Sequence, residues 1–221
     1  ADGMGGHASG EVASGLAVDS IGAFFDDTAK DTEHTWPYKG EKARSFEENR
    51  FATSIKLANL LIFDQAATDL RFRGMGTTVV GLHFLEQECL VAHVGDSRAY
   101  LIRGGRISQL TEDHSLLNDY KKLAPLTPEE EKNFPHKNII VRALGMKETV
   151  KVDLQRHVPE PGDIYLLCSD GLSGEVEDDD ILKIIDAAAG DLRAACDRLI
   201  AAANENGGKD NITALLVQVV P

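Results

Sequence analysis

The order in which helical and strand-like apolar patterns follow one another constrains the fold of this chain most. Two helix-like segments come first, at about residues 11–26 and 42–70. The apolar period then becomes strand-like at residues 77–85, 89–94 and 99–103, with Gly104-Gly105 as a tight turn into Ile107. Further strands are predicted at 150–158, 163–169 and 212–220, and a second helix pair at 181–189 and 192–204. Helix pairs around consecutive strands predict an α+β fold rather than alternating βαβ units.

One polar stretch interrupts this pattern. Residues 115–135 carry Pro125, Pro128 and Pro135 between charged side chains. Prolines at this density break regular elements, so the stretch is predicted to be an excursion with short helical turns outside the core.

Length and charge limit the class of protein. With 221 residues and no obvious linker, the chain is predicted to be a single domain over residues 1–221. Its net charge of −13 argues against nucleic acid as a partner, because phosphate binding depends on clustered Lys and Arg. No apolar run has membrane-spanning length, so no membrane partner is predicted. The three scattered cysteines, Cys89, Cys168 and Cys196, indicate free thiols in a reducing compartment, and the predicted location is cytoplasmic.

Three aspartates stand at the rims of predicted strands, each beside glycine or a polar turn. They occur in Asp2-Gly3-Met4-Gly5-Gly6-His7, in Cys168-Ser169-Asp170-Gly171 and in Gly208-Lys209-Asp210-Asn211. Hard divalent ions such as Mg²⁺ and Mn²⁺ prefer carboxylate, carbonyl and water ligands. Glycine beside a ligand also lets a backbone carbonyl approach the ion. The pattern therefore predicts an oxygen-ligand metal site.

Each further motif has a plain structural interpretation beside the functional one. The glycines at 3–6 are either a phosphate-binding loop or, more simply, a tight turn, since the Lys-Ser/Thr ending of a P-loop is missing. Residues 95–98 hold either a catalytic aspartate or a turn with an ion pair involving Asp96 and Arg98. Residues 111–115 are either a metal ligand or a helix N-cap. His7 is either a general acid or a solvated side chain.

Taken together and in order, these motifs are far more specific. The chain closely resembles the bacterial branch of the metal-dependent PP2C-like (PPM) serine/threonine protein phosphatases over essentially its whole length. The motifs that carry the resemblance are Asp2-Gly3-Met4-Gly5-Gly6-His7, Gly74-Met75-Gly76-Thr77-Thr78, Val94-Gly95-Asp96-Ser97-Arg98-Ala99-Tyr100, Leu110-Thr111-Glu112-Asp113-His114-Ser115, Arg142-Ala143-Leu144-Gly145, Leu167-Cys168-Ser169-Asp170-Gly171-Leu172 and Asp210-Asn211-Ile212-Thr213.

The resemblance implies a four-layer αββα sandwich of two antiparallel sheets flanked by helix pairs. It implies hydrolysis of phosphoserine and phosphothreonine on proteins by a water activated by two Mn²⁺ or Mg²⁺ ions, with a third ion in bacterial members. By this resemblance Asp2 bridges two metals, the Gly3 carbonyl binds the second, and Asp170 and Asp210 bind the first. Asp113 and Asp170 match the pair that holds the third ion, and His7 matches the histidine proposed as general acid. Residues 115–138 match a flap beside the active site.

The same resemblance implies phosphoprotein substrates of a cognate Ser/Thr kinase and a monomeric state. The family pattern also places an Arg-bearing segment and an Asn-Glu-Asp motif before the first Asp-Gly. Because Asp2 is the second residue here, we interpret the chain as lacking that N-terminal segment and expect lower activity and solubility without it. Two alternatives remain, namely a hydrolase of small phosphate esters on the same site and a catalytically inactive regulatory module that binds phosphoproteins.

Overall fold

The computed structural model describes residues 1–4, 7–30, 36, 38, 40–136 and 139–220. Within them the helices are α1 (His7–Lys30), α2 (Phe46–Thr68), α3 (Leu116–Leu123), α4 (Pro128–Lys132), α5 (Asp170–Ser173), α6 (Asp178–Ala187) and α7 (Leu192–Glu205). The strands are β1 (Gly3–Met4), β2 (Gly76–Thr77), β3 (Val79–Phe84), β4 (Cys89–Val94), β5 (Arg98–Arg103), β6 (Arg106–Gln109), β7 (Asp153–His157), β8 (Ile164–Cys168) and β9 (Ala214–Gln218). The strand orders are β1-β2, β3-β4-β7 and β6-β5-β8-β9. None of the helices in the described residues combines the length and hydropathy that crossing a bilayer requires.

The described chain divides into two compact units. The first comprises Ala1–Val79, Ala92–Gly95 and His114–Gln155, and the second comprises Val80–Val91, Asp96–Asp113 and Arg156–Pro221. The predicted single domain over residues 1–221 stays a prediction.

The first unit contains the predicted N-terminal helix pair. Both helices bury small and branched apolar residues along their contact, including Ala13, Ala17, Ile55 and Ile62, each with no exposed surface. Helix α1 extends beyond the predicted range 11–26 at both ends. Helix α2 begins at Phe46 rather than near residue 42, because its start is fixed by a capping box that the apolar period does not contain.

That capping box joins two side chains to each other's backbone. The Glu48 amide donates to Ser45 Oγ at 3.2 Å, and the Ser45 amide donates to Glu48 Oε2 at 2.6 Å. Two amides that have no partner inside the helix are thereby satisfied, which sets the first turn.

The predicted excursion also lies in the first unit and carries α3 and α4. The Ser115 hydroxyl caps α3 by accepting from the Asn118 amide, so Ser115 is the predicted helix N-cap, and the metal-ligand interpretation of Asp113 stays a prediction. The two ends of the excursion are tied together, since the Leu116 amide donates to the Ile139 carbonyl and the Val141 amide donates to the His114 carbonyl. The last residues of the predicted flap, 137 and 138, lie outside the described residues.

The second unit is built on the antiparallel sheet β6-β5-β8-β9. Gly104 and Gly105 turn β5 into β6 with φ angles of 57° and 71°, as expected for a two-residue hairpin in which both residues need positive φ. Helices α6 and α7 pack with this sheet around a common core. Its fully buried side chains include Tyr100, Leu166, Leu172, Ile181 and Leu199. The predicted second helix pair and closing strand are thus confirmed.

Candidate active site

Asp170 and Asp210 lie at the same end of the four-stranded sheet in the second unit. Strand β8 ends at Cys168, opposite Ala214 at the start of β9, so the residues after β8 and before β9 are neighbours. Ser169 joins the two segments, because its hydroxyl donates to the Asn211 carbonyl at 2.9 Å and accepts from the Thr213 amide at 3.0 Å. The strand ends therefore bring two predicted metal ligands together.

Glycine at position 171 makes this close approach possible. A Cβ placed there would lie 2.4 Å from the Asn211 carbonyl oxygen, a separation that real Cβ atoms essentially never show. Gly171 follows Asp170 directly, and Asn211 follows Asp210. Glycine directly after Asp170 is thus required by the packing between the two segments.

Asp113 belongs to the same end of the sheet through its partner Arg98. Arg98 opens β5 and pairs in register with Cys168, two residues before Asp170. Its guanidinium makes a bidentate salt bridge with Asp113, with Nη2 at 2.7 Å from Oδ2 and Nε at 3.0 Å from Oδ1. The sequence pattern predicted an ion pair involving Asp96 and Arg98; the ion pair that the structure shows for Arg98 is with Asp113.

Asp2 and Gly3 lie in the first unit, where the backbone around them is fixed. The Asp2 carbonyl accepts from the Thr77 hydroxyl and the Thr78 amide, both at 2.9 Å. The Asp2 amide donates to Thr78 Oγ1 at 3.1 Å. Gly3 lies against Gly10 of α1 so closely that a Cβ on Gly3 would fall 1.9 Å from the Gly10 carbonyl oxygen. This packing is a physical reason for the glycine after Asp2.

The predictions for Gly5, Gly6 and the His7 side chain stay predictions. Gly5 and Gly6, and the side chain of His7, lie outside the described residues. His7 is placed only as the first residue of α1. Its assignment as general acid stays a prediction.

The first unit also contains a polar cluster that no local sequence pattern predicted. The rings of His93 and His114 stack with centroids 4.6 Å apart, and His114 Nε2 lies 3.1 Å from Asp153 Oδ2. Arg142 donates from Nη1 to Asp153 Oδ1 at 3.2 Å. His114 and Arg142 belong to two of the motifs that carried the family resemblance, and that was the only signal for them in the sequence.

The spacing of His93, His114 and Asp153 would suit a metal ion, but the chemistry of the cluster does not. The Gly95 amide donates to His114 Nδ1 at 2.9 Å, so we assign the proton of the neutral ring to Nε2, which then has no lone pair for a metal. The Arg142 guanidinium lies 2.8 Å from the same Nε2 and supplies a fixed positive charge there. Burial lowers the pKa of His114 to about 4, which keeps the ring neutral at pH 7. The cluster therefore fixes the ends of the excursion rather than holding a metal.

The cysteine beside Asp170 is not a nucleophile. Cys168 is 2% exposed, and burial raises the pKa of its thiol to about 12. Only the thiolate attacks phosphorus or carbon centres, so this residue is inert near neutral pH. Cys168 therefore supplies no nucleophile at this end of the sheet.

The donor set fits a hard divalent cation. Asp170 is half-buried and Asp210 is exposed, so solvent reaches both residues, whereas Cys168 is buried. Oxygen-only donors at a strand end are the ligands that Mg²⁺ and Mn²⁺ take.

Comparisons with known proteins identify the family of the chain. The family described as "Protein phosphatase 2C" matches residues 1–217. Protein phosphatase PhpP of Streptococcus pneumoniae is 39% identical over 219 residues, which cover 99% of this chain and 84% of that protein. Serine/threonine phosphatase stp of Listeria welshimeri is 38% identical over 226 residues, covering 99% of this chain and 82% of that protein.

Solved structures show the same similarity in three dimensions. The catalytic domain of the serine/threonine protein phosphatase PstP, solved in complex with two manganese ions, aligns with a TM-score of 0.79 and 33% identity. The alignment covers 99% of this chain and 85% of the PstP chain. The predicted α+β fold of the PP2C type is thereby confirmed. This chain belongs to the protein phosphatase 2C family.

Proposed function

We propose that this chain hydrolyses phosphoserine and phosphothreonine esters on proteins in a reaction that depends on Mn²⁺ or Mg²⁺. Asp2, the Gly3 carbonyl, Asp170 and Asp210 are the proposed ligands of two ions, and Asp113 with Asp170 the proposed pair for a third. The observation that carries the proposal is the placement of Asp113, Asp170 and Asp210 at one end of the sheet β6-β5-β8-β9 in a chain of this family.

The bound ions would supply an activated water and offset the charge that develops on the phosphoryl oxygens. The chain's own residues hold the ligands in place for this chemistry. Ser169 fixes the segments that carry Asp170 and Asp210, and Thr77 and Thr78 fix the backbone of Asp2. The departing serine or threonine oxygen needs a proton, and His7 is the proposed donor.

The biological setting follows from the same proposal. The substrates are phosphoproteins, which we assign to a cognate Ser/Thr kinase, and the protein acts as a monomer in the cytoplasm. The excursion at residues 115–138 is the proposed flap beside the active site. Backbone hydrogen bonds tie the two ends of this excursion together.

The test compares Asp170→Asn with Asp186→Asn. Asp186 is an exposed residue of α6, so its variant makes the same chemical change away from the sheet end. With a phosphothreonine peptide and Mn²⁺, we expect Asp170→Asn to lower kcat/KM by roughly 10²-fold or more and Asp186→Asn to leave it unchanged. Mn²⁺ binding, measured by the loss of the free-ion electron paramagnetic resonance signal, should weaken only in Asp170→Asn.

The same assay separates the alternatives. Turnover of p-nitrophenyl phosphate without turnover of any phosphopeptide would favour a small-ester hydrolase. Tight phosphopeptide binding with no Mn²⁺-dependent turnover would favour an inactive binding module. Equal turnover by Asp170→Asn and wild type would refute the ligand assignment.

A further inference from the structure

Both carboxylate oxygens of Asp113 are engaged by protein donors. Arg98 donates from Nε to Oδ1 at 3.0 Å and to Oδ2 at 3.1 Å, and from Nη2 to Oδ2 at 2.7 Å. Gln109 donates from Nε2 to Oδ1 at 3.0 Å. A divalent cation that binds Asp113 directly needs the same lone pairs, so it must displace at least one of these donors.

Arg98 is itself held in place for this contact. Its Nη1 donates to the Tyr100 hydroxyl at 2.9 Å, and Tyr100 is fully buried two residues further along β5. The side chain of Arg98 is 25% exposed and that of Asp113 is 14% exposed, so solvent screens the pair only partly. Arginine is effectively always protonated in proteins. The guanidinium is therefore a permanent positive charge fixed against Asp113.

We propose that Arg98 is a built-in competitor of the metal ion at Asp113 and thereby limits the affinity of the site that Asp113 shares with Asp170. The register of β5 and β8 places Arg98 opposite Cys168, two residues before Asp170. Because Arg98 is bound to Asp113, a cation at Asp113 would lie at the same end of the sheet as Asp170. When Arg98 bonds Asp113, the carboxylate is already neutralised and the ion gains little by binding. When Arg98 swings away, Asp113 becomes a ligand. This inference rests on the proposed function, which assigns Asp113 and Asp170 to one ion.

The competition has a reciprocal consequence. If Arg98 weakens binding of the ion by some factor, the bound ion must weaken the hold of Arg98 on Asp113 by the same factor. Removing Arg98 should therefore destabilise the metal-free protein more than the metal-saturated protein. A purely structural salt bridge would give the same loss in both states.

The experiment measures Mn²⁺ binding by isothermal titration calorimetry in wild type, Arg98→Gln and the double variant Arg98→Gln/Asp113→Asn. We expect Arg98→Gln to tighten the weakest Mn²⁺ site by at least about fivefold, the lower end of typical couplings between linked interactions. The double variant should lose this gain, because the ligand that Arg98 was blocking is gone. If Arg98→Gln does not fold, Arg98→Lys, which keeps the charge but not the bidentate fork, should give a smaller gain of the same sign.

Arg103→Gln is the matched control. Arg103 lies on the same strand β5 and also makes a bidentate contact, with Asp163, a residue with no proposed part in metal binding. Arg103→Gln should leave every Mn²⁺ dissociation constant unchanged, and its loss in melting temperature should be equal with EDTA and with saturating Mn²⁺. The loss for Arg98→Gln should shrink in Mn²⁺.

The outcomes separate this inference from the proposed function. Unchanged or weaker Mn²⁺ binding in Arg98→Gln, or a gain that persists without the Asp113 carboxylate, would refute the competition. Mn²⁺ binding by wild type that depends on Asp170 but not on Arg98 would leave the proposed function intact. Absence of any Mn²⁺ binding by wild type would refute both.

Discussion

Replacing Gly171 by alanine should separate the two segments that carry Asp170 and Asp210. The added Cβ would lie 2.4 Å from the Asn211 carbonyl oxygen and 2.9 Å from its carbon, whereas ordinary contacts begin at 3.4 Å. The backbone must therefore open by about 1 Å, and overpacking of this kind costs roughly 1–3 kcal/mol of unfolding free energy. A displacement of about 1 Å at a catalytic constellation can lower the rate by ~10²-fold. We expect Gly171→Ala to lose kcat/KM on a phosphothreonine peptide by about this factor, with a larger fractional loss at limiting Mn²⁺.

The control is Gly15→Ala, the same chemical change at an exposed position inside α1 where an added Cβ meets no atom within 4 Å. That variant should keep full activity and gain up to about 1 kcal/mol of stability, because alanine is the better helix former. Urea unfolding measures the stability of both variants, and steady-state kinetics measure their activity. Activity of Gly171→Ala within threefold of wild type would show that this close approach does not position the ligands.

Two further predictions concern buried polar contacts that hold each unit together. Asp163 is 1% exposed and is bound by Arg103 and by the Glu160 amide, so Arg103→Gln should cost about 2–4 kcal/mol in urea unfolding at pH 7. Burial opposes ionisation of Asp163, but the bonds from Arg103 and the Glu160 amide outweigh burial and hold the pKa of Asp163 below the ordinary 3.8. The ion pair therefore stabilises the fold above pH 3.8, and the loss of stability in Arg103→Gln should shrink as the pH falls below that value. A loss of stability that does not change with pH would contradict this. Asn59 is 1% exposed; it donates to the carbonyls of Lys147 and Glu148 and accepts from the Gly145 amide. Asn59→Ala should therefore lower the free energy of unfolding by about 2–4 kcal/mol. As a control, Asn204→Ala at an exposed helix position should change it by less than ~0.5 kcal/mol. Equal melting curves for these two asparagine variants would refute the role given to Asn59.

The sequence predicted the elements of this fold well because their signals are local. The change of apolar period at Thr77 and the Gly104-Gly105 turn depend on neighbouring residues only, and both are confirmed. Helix ends were less accurate. The start of α2 depends on the reciprocal bonds of Ser45 and Glu48, a four-residue signature that apolar periodicity does not detect.

The site could be predicted only in part, for a related physical reason. Strand ends that carry Asp-Gly or Asp-Asn suggest oxygen ligands one at a time, and the pairing of β8 with β9 then brings Asp170 and Asp210 together. No local pattern showed that His114 takes its hydrogen-bond partners from Gly95 and Asp153, which are distant in sequence. Long-range polar partners of this kind appear only once the register is known.

Arg98 shows most clearly why register decides the chemistry. The sequence predicted an ion pair involving Asp96 and Arg98 that ties strands together. Alternation along β5 puts Arg98 on the same face as Tyr100, and the two side chains bond to each other there. On that face the guanidinium forms its salt bridge with Asp113, which lies fifteen positions later in the sequence, in the loop after β6. In a chain with a net charge of −13, several carboxylates gathered at one sheet end repel one another unless cations stand between them. Arg98 supplies one such charge from the chain itself, and divalent ions would supply the others. Under the proposed competition, the balance between Arg98 and these ions would set how many ions this end of the sheet can hold.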